Sequence, residues 1–183
     1  MYLHNGEKKA LTIIAVVAVV FVVVVASTTF LLVRDEPREH PPYLHLAVGG
    51  ELYKVEPRWY CDVLLRDCHP SPSEGGIPNA RQTPRTPIPV GESTMLTVSS
   101  DIAEGPWKLN LLYSTPRGLT EVQRPLYKAD STYTIVLKSE PGRVLLGLTV
   151  LLPSAVELPD GSVPVRAELA ADTRPEGFRL LDR

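Results

Sequence analysis

The sequence predicts a mostly β protein: a single N-terminal transmembrane helix followed by an antiparallel β-sandwich, immunoglobulin-like in architecture. Three observations carry that expectation. Residues 10–33 contain no charged side chain. All 18 prolines lie beyond that run. From residue 43 onward, apolar residues recur with a period of two in short segments roughly ten residues apart, bounded by Gly and Pro. That spacing suggests about seven to nine strands packed as two sheets.

The apolar run, Ala10 to Val33, would span roughly 36 Å as a helix, against a hydrocarbon core roughly 30 Å thick. A cleaved export signal has a shorter apolar region, about 7–15 residues, ending at small side chains. Here Phe30, Leu31, Leu32 and Val33 continue past Ala26-Ser27-Thr28, so a retained helix is expected. Lys and Arg are nearly balanced on the two sides (Lys8 and Lys9 before; Arg34 and Arg38 after). The short tail, residues 1–9, with its Lys pair resembles a signal anchor, with the N-terminus in the cytoplasm and the rest exported. No alanine pair falls four apart and no ionisable residue interrupts the run, so it reads as an anchor in the lipid bilayer with no ion pathway. Ser27, Thr28 and Thr29 are expected to bond back to helix carbonyls.

Residues 34–42 (RDEPREHPP, from Arg34) form a proline-bearing stalk that helix cannot cross easily. The sandwich domain is expected over 43–171. Tyr43 to Val48 alternates, Gly49-Gly50 is a hairpin turn, and Leu52 to Glu56 returns. A strand is expected to continue over Trp59 to Leu65. Residues 69–89 make a long Pro-rich loop. Met95, Leu96 and Val98 mark a strand, and Asp101 to Pro106 a turn or single helical turn. Trp107, Leu109, Leu111 and Tyr113 share one face of a strong strand and read as core. Pro116-Arg117-Gly118 turns the chain; Val122 to Tyr127 is expected as an edge strand, since Pro125 lacks a donor. Ser131 to Ser139 alternates again. Val144 to Leu152 is apolar on both faces and should be a central strand. After the Pro159-Asp160-Gly161-Ser162 turn, Val163, Val165, Ala167 and Leu169 face inward, and Arg166 and Glu168 face water. Residues 172–183 are a polar tail.

Cys61 and Cys68 are the only cysteines. In an exported domain such a pair reads as a disulfide. A metal site from Cys61, Cys68, His69 and Asp62 lacks the usual ligand spacing, so neither a metal nor a cofactor is expected. Of 19 Lys+Arg and 21 Asp+Glu, three and one lie at or before Arg34, leaving 16 against 20 beyond it, a charge of −4. With no clustered positive face, nucleic acid is not an expected partner. His40, His45 and His69 belong to no catalytic motif, and GxSxG, HExxH, SxxK and a phosphate-cradling glycine loop are all missing. The expectation is therefore not an enzyme.

Tyr60-Cys61-Asp62 with Cys68, and Asp101-Ile102-Ala103-Glu104-Gly105-Pro106-Trp107 with Tyr113 downstream, resemble, together with the anchor, a family of actinobacterial cell-envelope proteins classed as a domain of unknown function. The resemblance covers about Leu44 to Leu169. It implies an exported, membrane-attached domain; some members look like lipoproteins, but this chain lacks the cysteine that lipid attachment needs. It transfers no catalytic residue. The functional expectation is an extracytoplasmic binding or scaffolding module with an envelope protein as partner. The candidate binding loop is 69–89, with Arg81 and Arg85 its concentrated charge. The alternative is a lipid- or glycolipid-handling accessory with an intersheet cavity lined by Leu109, Leu111, Leu146 and Leu148; a hydrolase is less favoured.

Overall fold

The structure is a computed structural model that describes residues 5–34, 41–71 and 80–178; within the first of these segments it describes the side chains of residues 14 and 16–29. The chain divides into two units, Met1–His40 and Pro41–Arg183. The first unit holds α1 (Asn5–Arg34). No proline interrupts its 30 residues, which rise about 45 Å at 1.5 Å each. Every described apolar side chain along it is uncovered, Ile14 through Val25. Thr28 Oγ1 donates to the Val24 carbonyl (2.9 Å) and Thr29 Oγ1 to that of Val25 (2.8 Å), the expected back-bonding. Among the described residues no helix is long and apolar enough to cross a membrane. The expected span, 10–33, extends beyond the described side chains at both ends.

The second unit is two antiparallel sheets around one hydrophobic core. Its elements in chain order are β1 (Leu44–Val48), β2 (Glu51–Val55), β3 (Trp59–Tyr60), β4 (Ser93–Val98), α2 (Ser100–Ala103), β5 (Lys108–Thr115), β6 (Gly118–Gln123), β7 (Thr134–Lys138), β8 (Val144–Pro153) and β9 (Val165–Asp172). One sheet runs β2-β1-β4-β7, the other β3-β9-β8-β5-β6. Alternation explains the layers. Leu44, Leu46, Leu96, Val98 and Leu137 from the first sheet meet Trp107, Leu109, Leu111, Val150 and Leu169 from the second. The Gly49-Gly50 turn has φ of 56° and 91°, the left-handed pair that tight hairpins need and that glycine adopts without strain.

The central strand is β8, flanked by β5 and β9. It reads as apolar on both faces for a reason period-two reasoning misses. Leu112 lies opposite Gly147 and Tyr113 opposite Leu145, so Leu146 is the extra residue of a bulge. The core-facing residues are Leu145 before the bulge and Leu148, Val150 and Leu152 after it. Thr173 Oγ1 donates to the Leu145 carbonyl (3.0 Å), and Ser139 Oγ accepts from Leu145 N (3.3 Å).

Several expectations are corrected. The strand from Trp59 stops at Tyr60, because Cys61–Cys68 closes a tight loop. Inside that loop the Asp62 carboxylate accepts from the backbone of Leu64 and Arg66, and Leu65 and Asp67 have positive φ. The edge strand expected at 122–127 lies earlier, as β6, in a hairpin with β5; Pro125 follows it, and Tyr127 pairs instead with Trp107. Of the alternating stretch 131–139, only Thr134–Lys138 forms a strand, β7, and Tyr133 before it is exposed. Glu168 does not simply face water: Arg58 Nη1 bonds it. Val163 is exposed. The polar tail is partly structural, since Asp172 ends β9 and Thr173 is fully buried. The stalk residues 35–40, the loop tip 72–79 and the end of the chain, 179–183, lie outside the described residues.

Candidate binding surfaces

The anticipated disulfide joins Cys61 and Cys68. The loop that follows is tied down along its second half. Pro84 accepts from Asp172 N (2.9 Å), Thr86 N donates to Asp172 O (2.8 Å), and Ile88 N to Thr173 O (3.1 Å), so this stretch runs parallel to the end of β9. Thr86 and Ile88 are buried. Arg81 N donates to Arg58 O, and the Arg81 guanidinium reaches Glu56 at 3.4 Å. Arg85 stands opposite Asp172. Arg81 therefore reaches a carboxylate of the domain itself, and the charge of Arg85 helps lower the pKa of another, Asp172.

Among the described residues Asp172 is the carboxylate that accepts the most hydrogen bonds. Its oxygens accept from Nε and Nη2 of Arg174 and from Arg174 N. These bonds, chiefly the side-chain ones, hold its pKa below the usual carboxylate range. Tyr53 moves the other way, its hydroxyl held by the Glu51 carboxylate, and burial raises Tyr113.

The outer face of the four-stranded sheet presents a feature that sequence reasoning missed. The registers place Leu52 opposite Ala47, Ala47 opposite Met95, and Met95 opposite Val136. Directly opposed residues project to the same side. An apolar row thus crosses all four strands, with Leu52 66%, Met95 48% and Val136 57% exposed. The next row is Lys54, His45, Thr97 and Thr134, where the two threonine hydroxyls lie 3.3 Å apart. The Lys54 ammonium sits 4.9 Å from the Tyr43 ring centre. On the other side Ser93 faces Lys138. Each of these residues looks unremarkable in its own strand; only register aligns them.

The outer face of the five-stranded sheet is hollowed. Its middle carries Gly147, Thr149 and Ala170, which are small, between larger side chains of the outer strands. The result is a groove of about 400 Å³. Asn110, Leu112 and Glu121 form one wall, and Arg58, Glu168 and Thr83 the other. Arg58 Nη1 bonds Glu168 Oε1, and Trp59 Nε1 lies 3.4 Å from Glu168 Oε2. Asn110 Oδ1 is buried with no hydrogen-bond partner among the described residues. A second hollow, of about 560 Å³, lies by the β1–β2 hairpin between Pro87, Pro89 and Pro175 and the carboxylates of Glu51, Glu92 and Glu176.

Of the four leucines considered for an intersheet cavity, Leu109, Leu111 and Leu148 are packed in the core; Leu146 is buried at the bulge. His45 packs on Tyr43 and His69 on Tyr60, with ring centres 5.1 and 5.3 Å apart. No group of three or more metal-ligating side chains occurs among the described residues.

Residues 37–168 match the family model described as a protein of unknown function (DUF2771). The chain is 28% identical over 134 residues to the uncharacterized protein Rv0875c of Mycobacterium tuberculosis, covering 69% of this chain and 72% of that protein. The uncharacterized protein Mb0899c of Mycobacterium bovis aligns with the same identity and coverage. No solved structure matches the chain. The family match covers well over half of the sequence, and the chain belongs to this actinobacterial family of proteins of unknown function.

Proposed function

We propose that this protein is a single-pass membrane protein of the bacterial envelope whose β domain stands outside the cytoplasm and binds a protein partner. The apolar row on the four-stranded sheet is the observation that carries the reading. A solvated sheet face normally alternates apolar-in and polar-out. Here Leu52, Ala47, Met95 and Val136 break that rule together, in register, with a polar rim on either side. An apolar centre inside a polar rim is the anatomy of a protein interface. Lys138 at one edge favours a partner with an acidic group beside its own apolar centre, while Lys54 at the other edge is shared with Glu56 at 3.8 Å.

The membrane tether rests on the uncharged run 10–33 within a 30-residue helix. Export is supported by the Cys61–Cys68 disulfide, since such bonds persist in oxidising compartments. An immunoglobulin-like topology is supported by strand order. β4 and β7 share one sheet while β5, β6, β8 and β9 share the other in the order β9-β8-β5-β6. Strands B, C, C′, E, F and G of a variable-type domain are arranged the same way. Trp107, fully buried immediately before β5, stands near the position of the core tryptophan of strand C. The disulfide differs, being local where antibody domains bridge their two sheets. The reading is of a binder rather than an enzyme. Its support is that His45 and His69 are each engaged with a tyrosine ring and lie apart, His45 in β1 of the four-stranded sheet and His69 bridged to Tyr60 of the other.

The test is a photoreactive amino acid at Met95 of the full-length protein in native membranes. A discrete protein adduct that disappears in the Val136→Glu variant is expected. No adduct, or one indifferent to Val136→Glu, would refute the docking face.

A further inference from the structure

We infer that the groove over Gly147, on the opposite sheet from the docking face, is a binding site for a neutral saccharide. β8 is paired on both sides, to β5 and to β9, so its main-chain groups at the floor are already bonded. An extended peptide that binds by adding a strand needs a free edge, and the centre of a sheet offers none. Recognition here must come from side chains alone.

Those side chains then narrow the ligand. Arg58 is matched to Glu168, and Glu121 adds a further carboxylate, so an anionic ligand such as a phosphate meets net negative charge. An acyl chain would desolvate the Thr149 hydroxyl and the Arg58–Glu168 pair while offering them no hydrogen bond, a cost of about 1–3 kcal/mol for each polar group left without its water. What remains is a neutral ligand rich in hydrogen-bond donors. Asn110 Oδ1 is a buried acceptor with no partner among the described residues. Native structures seldom leave such an atom unpaired; a turn of the Asn110 amide about its Cβ–Cγ bond would bring it to the groove surface, where a ligand hydroxyl supplies the missing donor. Glu121 and Glu168 carry acceptor oxygens of the kind that sugar hydroxyls donate to, and Thr83 and Thr149 both donate and accept. The apolar faces of Leu112, Leu151 and Ala170 interleave with them, suiting the C–H face of a sugar ring. A volume of about 400 Å³ lies within the range of small-ligand sites, roughly 300–1,000 Å³.

Gly147 makes the floor. Its φ is not in the left-handed region, and a Cβ there would meet the Ala171 carbonyl oxygen at 3.4 Å, at the tight edge of ordinary contact. Its conformation does not demand glycine; the groove does. Gly147→Val fills the floor with a residue that suits a strand. Glu121→Gln, on the exposed edge strand β6, alters one wall without touching the core.

The full-length protein in detergent is titrated with maltohexaose, mannohexaose and xylohexaose, and with an uncharged hexapeptide, by saturation-transfer NMR. We expect at least one of the three oligosaccharides to bind with Kd near 1 mM or tighter, and about tenfold more weakly in both variants. Failure of all three at about 10 mM, binding unaltered in both variants, or binding of the hexapeptide in their place would overturn the proposal. Met95 and Val136 lie on the other sheet, so the result is independent of the docking face.

Discussion

Thr173 shows how much a single hydroxyl can hold. Its Oγ1 is fully buried and donates to the carbonyl of Leu145, where the bulge sets which residues of β8 face the core. Thr173→Val keeps the shape and removes the donor. The expected cost is about 1–2 kcal/mol, read as a lower urea midpoint at unchanged slope. Asp172 beside it governs acid behaviour. Its folded-state pKa is held below the usual value by Arg174, so its stabilisation is present above the unfolded pKa and is lost as pH falls through the folded one. Arg174 is about half exposed, so solvent screening keeps the effect near 1 kcal/mol. Asp172→Asn should lower stability by about that amount at pH 7 and flatten the acid limb below about pH 4. Thermal melts at stepped pH provide the check. Neither role was legible in the sequence, where 172–183 reads as a polar tail. The role of Thr173 depends on residue 145 arriving from far along the chain, whereas Asp172 meets Arg174 only two residues away, a local pair that the spacing alone does not announce.

Elements whose signal is local were the legible ones. The β1–β2 hairpin is written in alternation plus Gly49-Gly50, and β5 in Trp107, Leu109, Leu111 and Tyr113; both stand where expected. Elements set by long-range pairing were displaced. β6 begins at Gly118, because the Pro116-Arg117 turn folds it at once onto β5. The stretch after Tyr60 leaves the sheet because Cys61 and Cys68 draw it into a closed loop. That loop has its own energetic consequence. With a sequence separation of 7, the cross-link should contribute roughly 2–3 kcal/mol in the chain-entropy model. The double variant Cys61→Ser, Cys68→Ser should lose that amount on chemical denaturation. The apolar row is an element-scale property too, visible only once four registers are known. Val136→Glu places charge on an exposed site and should change stability by no more than about 0.5 kcal/mol, so loss of an adduct in that variant reports binding and not unfolding.

The whole molecule combines three features: an uncharged helical run, a cross-linked β domain, and two differently built faces on that domain. One sheet offers an apolar row, the other a polar groove, so two unlike ligands could be engaged at once. All of this presupposes that the β domain lies outside the cytoplasm. Cys61 and Cys68 are bonded to each other, so Thr120→Cys on exposed β6 would introduce the one free thiol of a chain with no other cysteine. The decisive measurement is labelling of that variant in intact spheroplasts by a membrane-impermeant maleimide. The account predicts full labelling before lysis; labelling that appears only after the membrane is broken would contradict it.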